Sequence, residues 1–179
     1  MSFGSLKYRV RRGHAGDRRA VLELFLAALQ EHGFAAIDEN VNPEVASFGA
    51  TGDPARDDFV VVSGRKVCGF AILIGQSDGW GELSKVFVAP THRGCGVGTM
   101  LIETCILTAR ERGVRELFLE THTAFAYARR YYERHGWTLW PTDDTTTRMY
   151  TMKVVGTARV ELPKVSGVRG VLSGRKAVG

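Results

Sequence analysis

Between Val86 and Ile102 the chain passes from a β-branched and aromatic run, Val-Phe-Val-Ala-Pro, through a turn with glycine at alternate positions into apolar residues at helical spacing. Few arrangements satisfy such a stretch. Gly94, Gly96 and Gly98 carry no Cβ atoms, so several backbone N–H groups at a helix N-terminus stay open to a close neighbour. The physical expectation is an anion site, with phosphate first among the anions.

The flanking sequence builds elements around that junction. Trp80 to Val88 reads as the strand that enters it. From Gly98 to Arg112 the residues Leu101, Ile102, Cys105, Ile106 and Ala109 recur three and four apart, with Arg110 and Arg112 at the cation-favouring end and Gly113 as the stop. Glu116 to Glu120 reads as a buried strand, so strand, glycine loop, helix and strand form one crossover unit with parallel strands.

Upstream, Tyr8 to Arg11 predicts a short strand, and Asp17 an N-cap for a helix through Val21, Leu22, Leu24, Phe25, Ala28 and Leu29 that ends near Gly33. Asn42-Pro43 opens a short helix through Phe48. Phe59 to Ser63 and Val67 to Ile74 read as a hairpin across Ser63-Gly64-Arg65-Lys66. Downstream, a helix from Ala124 to His135 is stopped by Gly136, and strands follow at Trp137 to Trp140 and Arg148 to Val155. On the strand before the junction, simple alternation puts Glu82 and Ser84 on one face and Leu83 and Lys85 on the other.

Composition narrows the function classes. The 179 residues are 44% hydrophobic and 24% charged, which excludes disordered and fibrous classes and suits one domain over residues 1–155. Residues 156–179 read as a basic, poorly ordered tail. No run approaches the ~20 apolar residues that span a bilayer, and the first dozen residues are polar and basic, so no membrane partner is expected and the cytoplasm is the expected location. Three cysteines without C-x-x-C spacing suggest neither a disulfide framework nor zinc, and His92, His122 and His135 lack ligand spacing, so no metal is expected. The net charge of +5 would suit nucleic acid. Past Val154, however, Arg159, Lys164, Arg169, Arg175 and Lys176 face only Glu161, so the excess lies in the tail.

Two common owners of a glycine-rich turn fail here. A P-loop needs a lysine after the glycines, and the dinucleotide fingerprint needs glycine where this chain has Thr99. Arg93-Gly94-Cys95-Gly96-Val97-Gly98 instead resembles the Q/R-x-x-G-x-G/A signature of the GNAT family of N-acetyltransferases. Leu83 to Pro90 is similar to the strand before that signature, and Ala128 to Trp137 to the family's later A-x-x-x-Y-E-x-x-G-F segment. The resemblance covers roughly Tyr8 to Val154.

It implies an α/β fold in which helices flank a mixed, mostly antiparallel central sheet with a V-shaped opening between two parallel strands. It also implies acetyl-coenzyme A as co-substrate. The loop Gly94, Cys95, Gly96, Val97, Gly98 and Thr99, with Arg93, would hold the pyrophosphate. Backbone groups of Phe87, Val88 and Ala89 would bind the pantetheine arm, the Val88 N–H polarising the thioester carbonyl. Glu82 stands at the place of a base for the amine, against the plainer reading of a solvent-facing or salt-bridged glutamate. Tyr132 stands at the place of the acid for the departing thiolate, with Tyr131 in the core. Many members carry asparagine seven residues before that tyrosine; this chain has Phe125, so Tyr127 or Arg129 is expected to share coenzyme binding.

The implied reaction is direct acetyl transfer to a primary amine of a small molecule or peptide. The acidic stretch Asp38 to Glu44 and the pair Asp143-Asp144 are expected to line a site for a cationic acceptor. A different acyl group, a non-catalytic acyl-CoA-binding sensor or interaction module, and nucleic-acid binding through the tail are the competing readings. A homodimer stays open.

Overall fold

Seven strands form one sheet in the order β1-β2-β3-β4-β5-β7-β6. The strands are β1 (Arg9–Arg12), β2 (Arg56–Ser63), β3 (Lys66–Gly75), β4 (Trp80–Val88), β5 (Glu116–His122), β6 (Thr138–Trp140) and β7 (Thr147–Lys153), and the helices are α1 (Arg18–Glu31), α2 (Pro43–Ala46), α3 (Val97–Glu111) and α4 (Ala126–Arg134). This computed structural model describes residues 8–34, 42–75 and 77–154. The expected acceptor-site residues Asp38 and Glu39 and the tail 156–179 lie outside them. Among the described residues no helix is long and apolar enough to cross a membrane.

Every neighbouring strand pair is antiparallel except β4 and β5. Those two pair only over Trp80–Glu82 against Glu116–Phe118. Beyond Glu82 they part, and the sheet opens between the second half of β4 and the end of β5. This is the V-shaped opening of the expected fold.

Alternation along the strands feeds two apolar layers. On one face Leu83, Leu117 and Leu119 meet Val97, Leu101 and Cys105 of α3 and Tyr132 of α4. On the other, Val60, Phe70 and Ile72 meet Val21, Phe25 and Leu29 of α1 with Val45 and Phe48. Each fully buried Leu or Phe contributes roughly 1.5–3 kcal/mol, so both layers hold the sheet between helices. At Gly69 of β3 an added Cβ would lie 2.9 Å from the Phe87 carbonyl oxygen and 3.0 Å from Val97 Cγ1, so glycine there lets α3 settle directly on the sheet.

Two local expectations are corrected. Asp17 does not cap α1: its carboxylate takes two 2.7 Å hydrogen bonds from Arg11 and one of 3.0 Å from the His14 amide, while its own backbone is already helical. These charge-assisted bonds, those from Arg11 foremost, hold its pKa below the ordinary carboxylate value. Strand β2 starts at Arg56, three residues before the apolar run, because its charges are paired inside. Asp57 is buried against Arg12 and Arg112, and Asp58 against Arg56.

Candidate active site

The glycine loop folds as the residue types require. Gly94 and Gly96 adopt φ of 70° and 82°, a left-handed region costly for any residue with a Cβ. Gly96 is the N-cap of α3, its carbonyl accepting the Met100 amide at 2.9 Å. The amides of Val97, Gly98 and Thr99 in that first turn have no intrahelical acceptor and point out of the helix end. Gly98 lies at the end of β4, 3.6 Å from Val88 Cγ2 to its Cβ position. Cys95 is exposed on the loop.

Arg93 is a strut rather than a free cation. Its guanidinium grips both Glu31 oxygens at 2.7 Å, and its Nε donates to the Val88 carbonyl at 3.2 Å. The loop is thereby tied to the end of α1 and to β4, leaving its amides to face a ligand.

Ladder alternation sorts the backbone groups of β4. The Ala89 amide donates to the Cys68 carbonyl at 2.9 Å, so in the register Phe70↔Phe87 and Gly69↔Val88 the main-chain groups of Phe87 turn to β3 as well. Those of Val86 and Val88 turn to the opening. Of the three residues expected to bind through backbone groups, only Val88 therefore presents its N–H there. Phe87 contributes its ring to a cluster with Phe25, Phe70 and Phe125, at centroid distances of 5.2, 5.6 and 6.0 Å. Val86, absent from the expected set, lies one two-residue period before Val88 and follows from it once the register is known.

The face carrying Glu82 differs from simple alternation. Leu73 pairs with Leu83 and Ile72 with Lys85, so Ser84 is an extra residue in β4, a bulge that reverses the phase of the strand beyond it. Lys85 therefore shares the face of Glu82 and Ser84, and both Ser84 and Lys85 bond the carboxylate of Glu44 on α2. Burial raises the pKa of Glu82 above the ordinary glutamate value; Glu44 and Glu120 add to the rise, against Lys85 and a Ser84 hydrogen bond. Glu120 is raised as well, by burial and by Asp144, against Lys85. Asp144 itself is lowered to about 2 by the Thr146 hydroxyl and amide and by Thr147. Glu44 and Asp144, members of the two acidic loops singled out in the sequence, thus flank the face of Glu82 and Glu120.

On the opposite layer, Tyr132 is 6% exposed, with ring contacts to Trp137 and Tyr150, both 5.6 Å between centroids. Burial raises its pKa well above that of a free phenol, so it is a neutral proton holder at ordinary pH. Tyr131, expected in the core, is half-buried; its ring stacks on His135 at 3.9 Å and its hydroxyl meets Thr99 of the first turn of α3. Tyr127, one turn earlier on α4, is exposed. Arg129 Nε is buried without a hydrogen-bond partner. Phe125 closes the end of α1 through rings, 4.5 Å from His32 and 5.7 Å from Phe34.

A cradle of left-handed glycines and outward amides, continuous with open backbone groups on β4, matches a ligand that carries a pyrophosphate and an extended amide arm, as coenzyme A does. Among the described residues no group of three or more His, Cys, Asp or Glu side chains could hold a metal ion.

The sequence model of the acetyltransferase (GNAT) family matches residues 19–137. An IAA acetyltransferase of Azospirillum brasilense is 44% identical over 54 residues, which cover 30% of this chain and 35% of that protein. The ribosomal protein bS18-alanine N-acetyltransferase of Haemophilus influenzae is 33% identical over 76 residues, covering 42% and 51%. The chain thus spans between a third and a half of these two curated relatives. In fold it is similar to the Paia N-acetyltransferase of Thermoplasma acidophilum in complex with coenzyme A, with a TM-score of 0.69, 15% identity, and coverage of 83% of this chain and 99% of that one. The chain belongs to the GNAT family of acetyl-CoA-dependent acetyltransferases.

Proposed function

We propose that the chain acetylates the primary amine of a cationic small molecule or peptide, with Glu82 as the base. The observation that carries this reading is the position of Glu82: it stands where β4 and β5 part, on the sheet face opposite α3. Bound acetyl-coenzyme A supplies an activated thioester carbonyl. The amides from Gly94 to Thr99 bind its pyrophosphate, and the Val86 and Val88 backbone groups orient its arm along the open edge of β4. The Val88 N–H stabilises negative charge as it develops on the attacked carbonyl oxygen.

An amine attacks only as the free base, and most amines are protonated near pH 7. Glu82 takes that proton, directly or through one water, and its raised affinity for protons suits the task. Tyr132, at the place of the family's acid, gives a proton to the leaving thiolate; burial keeps it protonated but makes it a weaker acid than a free phenol. Glu44 and Glu120 face Glu82 against Lys85, with Asp144 beside Glu120 and Arg56 behind Glu44 already paired with Asp58, and the net negative charge favours a cationic acceptor.

Two measurements test the reading. Thiol release is followed with acetyl-coenzyme A against spermidine, an aminoglycoside, a lysine-rich peptide, an alanine-terminated peptide and neutral amino acids. The cationic acceptors are expected to give the higher kcat/KM, and a preference for the neutral ones contradicts the substrate class. Glu82→Gln is expected to lower kcat/KM by about 10²–10⁴-fold below the amine's pKa. An unchanged acid limb removes Glu82 as the base.

A further inference from the structure

On the acceptor side of β4 an ion pair converges on the bulge. Glu44 Oε2 accepts from Ser84 Oγ and from Lys85 Nζ, each at 2.6 Å, and Lys85 Nζ also donates to Ser84 Oγ at 2.9 Å and to the Ser84 carbonyl at 3.3 Å. The Ser84 hydroxyl also reaches Glu82, and because its single proton serves one carboxylate at a time, Glu44 and Glu82 compete for it at the one inserted residue of β4. Glu44 is held there from behind: Arg56 donates to the Glu44 carbonyl at 2.6 Å and to Ser47 Oγ at 3.1 Å while paired with Asp58 at 2.7 Å.

We propose that Glu44 and Lys85 are positioning residues for Glu82, an opposed pair of charges acting through the Ser84 hydroxyl, so that α2 governs when Glu82 can take the amine's proton. The proposal rests on Glu82 being the base. The charges facing Glu82 are Glu44 from α2, Lys85 from β4 and Glu120 from β5, with Arg56 behind Glu44 and Asp144 beside Glu120. Glu44 and Lys85 act on Glu82 with opposite sign, and because they touch each other their effects largely cancel. Removing one leaves the other unbalanced.

This makes a prediction that simple tethering does not. A pair that merely tied α2 to β4 would be broken in the same way by loss of either partner, and Glu82 would move in one direction in both variants. An opposed pair moves it in two.

The test is a pH titration of the glutamate side-chain carboxyls by ¹³C NMR on the full chain without acetyl-coenzyme A, with the Glu82 signal identified by its loss in Glu82→Gln. The expected midpoint falls by about one pH unit in Glu44→Gln and rises by about one in Lys85→Met. It stays at the wild-type value in Lys85→Arg. The double variant Glu44→Gln/Lys85→Met returns towards wild type, which keeps the test decisive if one single variant folds poorly. Midpoints that do not move, or that move the same way in both single variants, overturn the proposal. Failure of Glu82 as the base is read separately, from the turnover of Glu82→Gln, so the two failures are distinguishable.

Discussion

At the scale of single residues, the proposed coenzyme loop rests on backbone conformations that only particular residues tolerate. Gly96 holds φ of 82° with nothing within 4 Å of its Cβ position, so replacing it by alanine meets a conformational cost, not a clash with the protein itself. That cost is roughly 1–2 kcal/mol. Gly96→Ala is therefore expected to lower Tm modestly and to raise the KM for acetyl-coenzyme A by about tenfold or more, because the new methyl stands where the loop amides approach the ligand. Thermal melts and initial rates check it; an unchanged KM would show that the loop does not approach the coenzyme. Arg93, read in the sequence as a pyrophosphate ligand, is paired with Glu31 instead, whereas the glycines were legible because their spacing and the family resemblance mark the loop. Lys85 was not, since the bulge at Ser84 leaves no mark in composition, and one inserted residue turns every later side chain of β4 to the other face.

At the scale of elements, burial of charge shapes what a sequence hides. Trp80 to Val88 was readable to its ends as a strand, because its run of β-branched and aromatic residues is bounded by turn residues. Strand β2 was read three residues short, because Arg56, Asp57 and Asp58 look like a loop until their partners are known. Arg56 and Asp58 each keep 6% side-chain exposure, and Arg56 fastens the backbone of α2, at the Glu44 carbonyl and Ser47, to the sheet. Arg56→Met leaves Asp58 as an uncompensated buried charge, so a loss of about 3–5 kcal/mol in unfolding free energy is expected. Urea denaturation measures it, and a loss below about 1 kcal/mol, the usual worth of a surface pair, would mean that the pair is effectively solvated. The corresponding double loss, Arg56→Met with Asp58→Leu, should recover much of the stability.

At the scale of the whole molecule, the sheet is one surface with two chemistries. The α3 and α4 layer presents the glycine loop and a neutral, buried Tyr132; the α1 and α2 layer presents Glu82 among carboxylates; the parting of β4 from β5 is the place where the layers communicate. The crossover unit and the order of elements could be read from periodicity and turn residues. The direction of each β4 backbone group needed the ladder register, and the neighbourhood of Glu82 needed the long-range contacts of α2 and of the 141–147 loop. Glu82 also has a pH consequence with a defined sign. With Glu82 as the proposed base, which works only when ionised, and with burial raising its pKa above the ordinary glutamate value, activity is expected to fall on acidification at a pH higher than a free carboxylate would give.

The acetyl donor is expected in the opening between β4 and β5, with its pyrophosphate on the loop before α3. Amide ¹H–¹⁵N spectra recorded while coenzyme A is added to the full chain test this most directly. The largest changes are expected at the amides of Gly94 to Thr99 and of Val86 and Val88, with those of Phe87 and Ala89, which bond β3, moving less. Saturable changes clustered elsewhere, or none at millimolar coenzyme A, would contradict it.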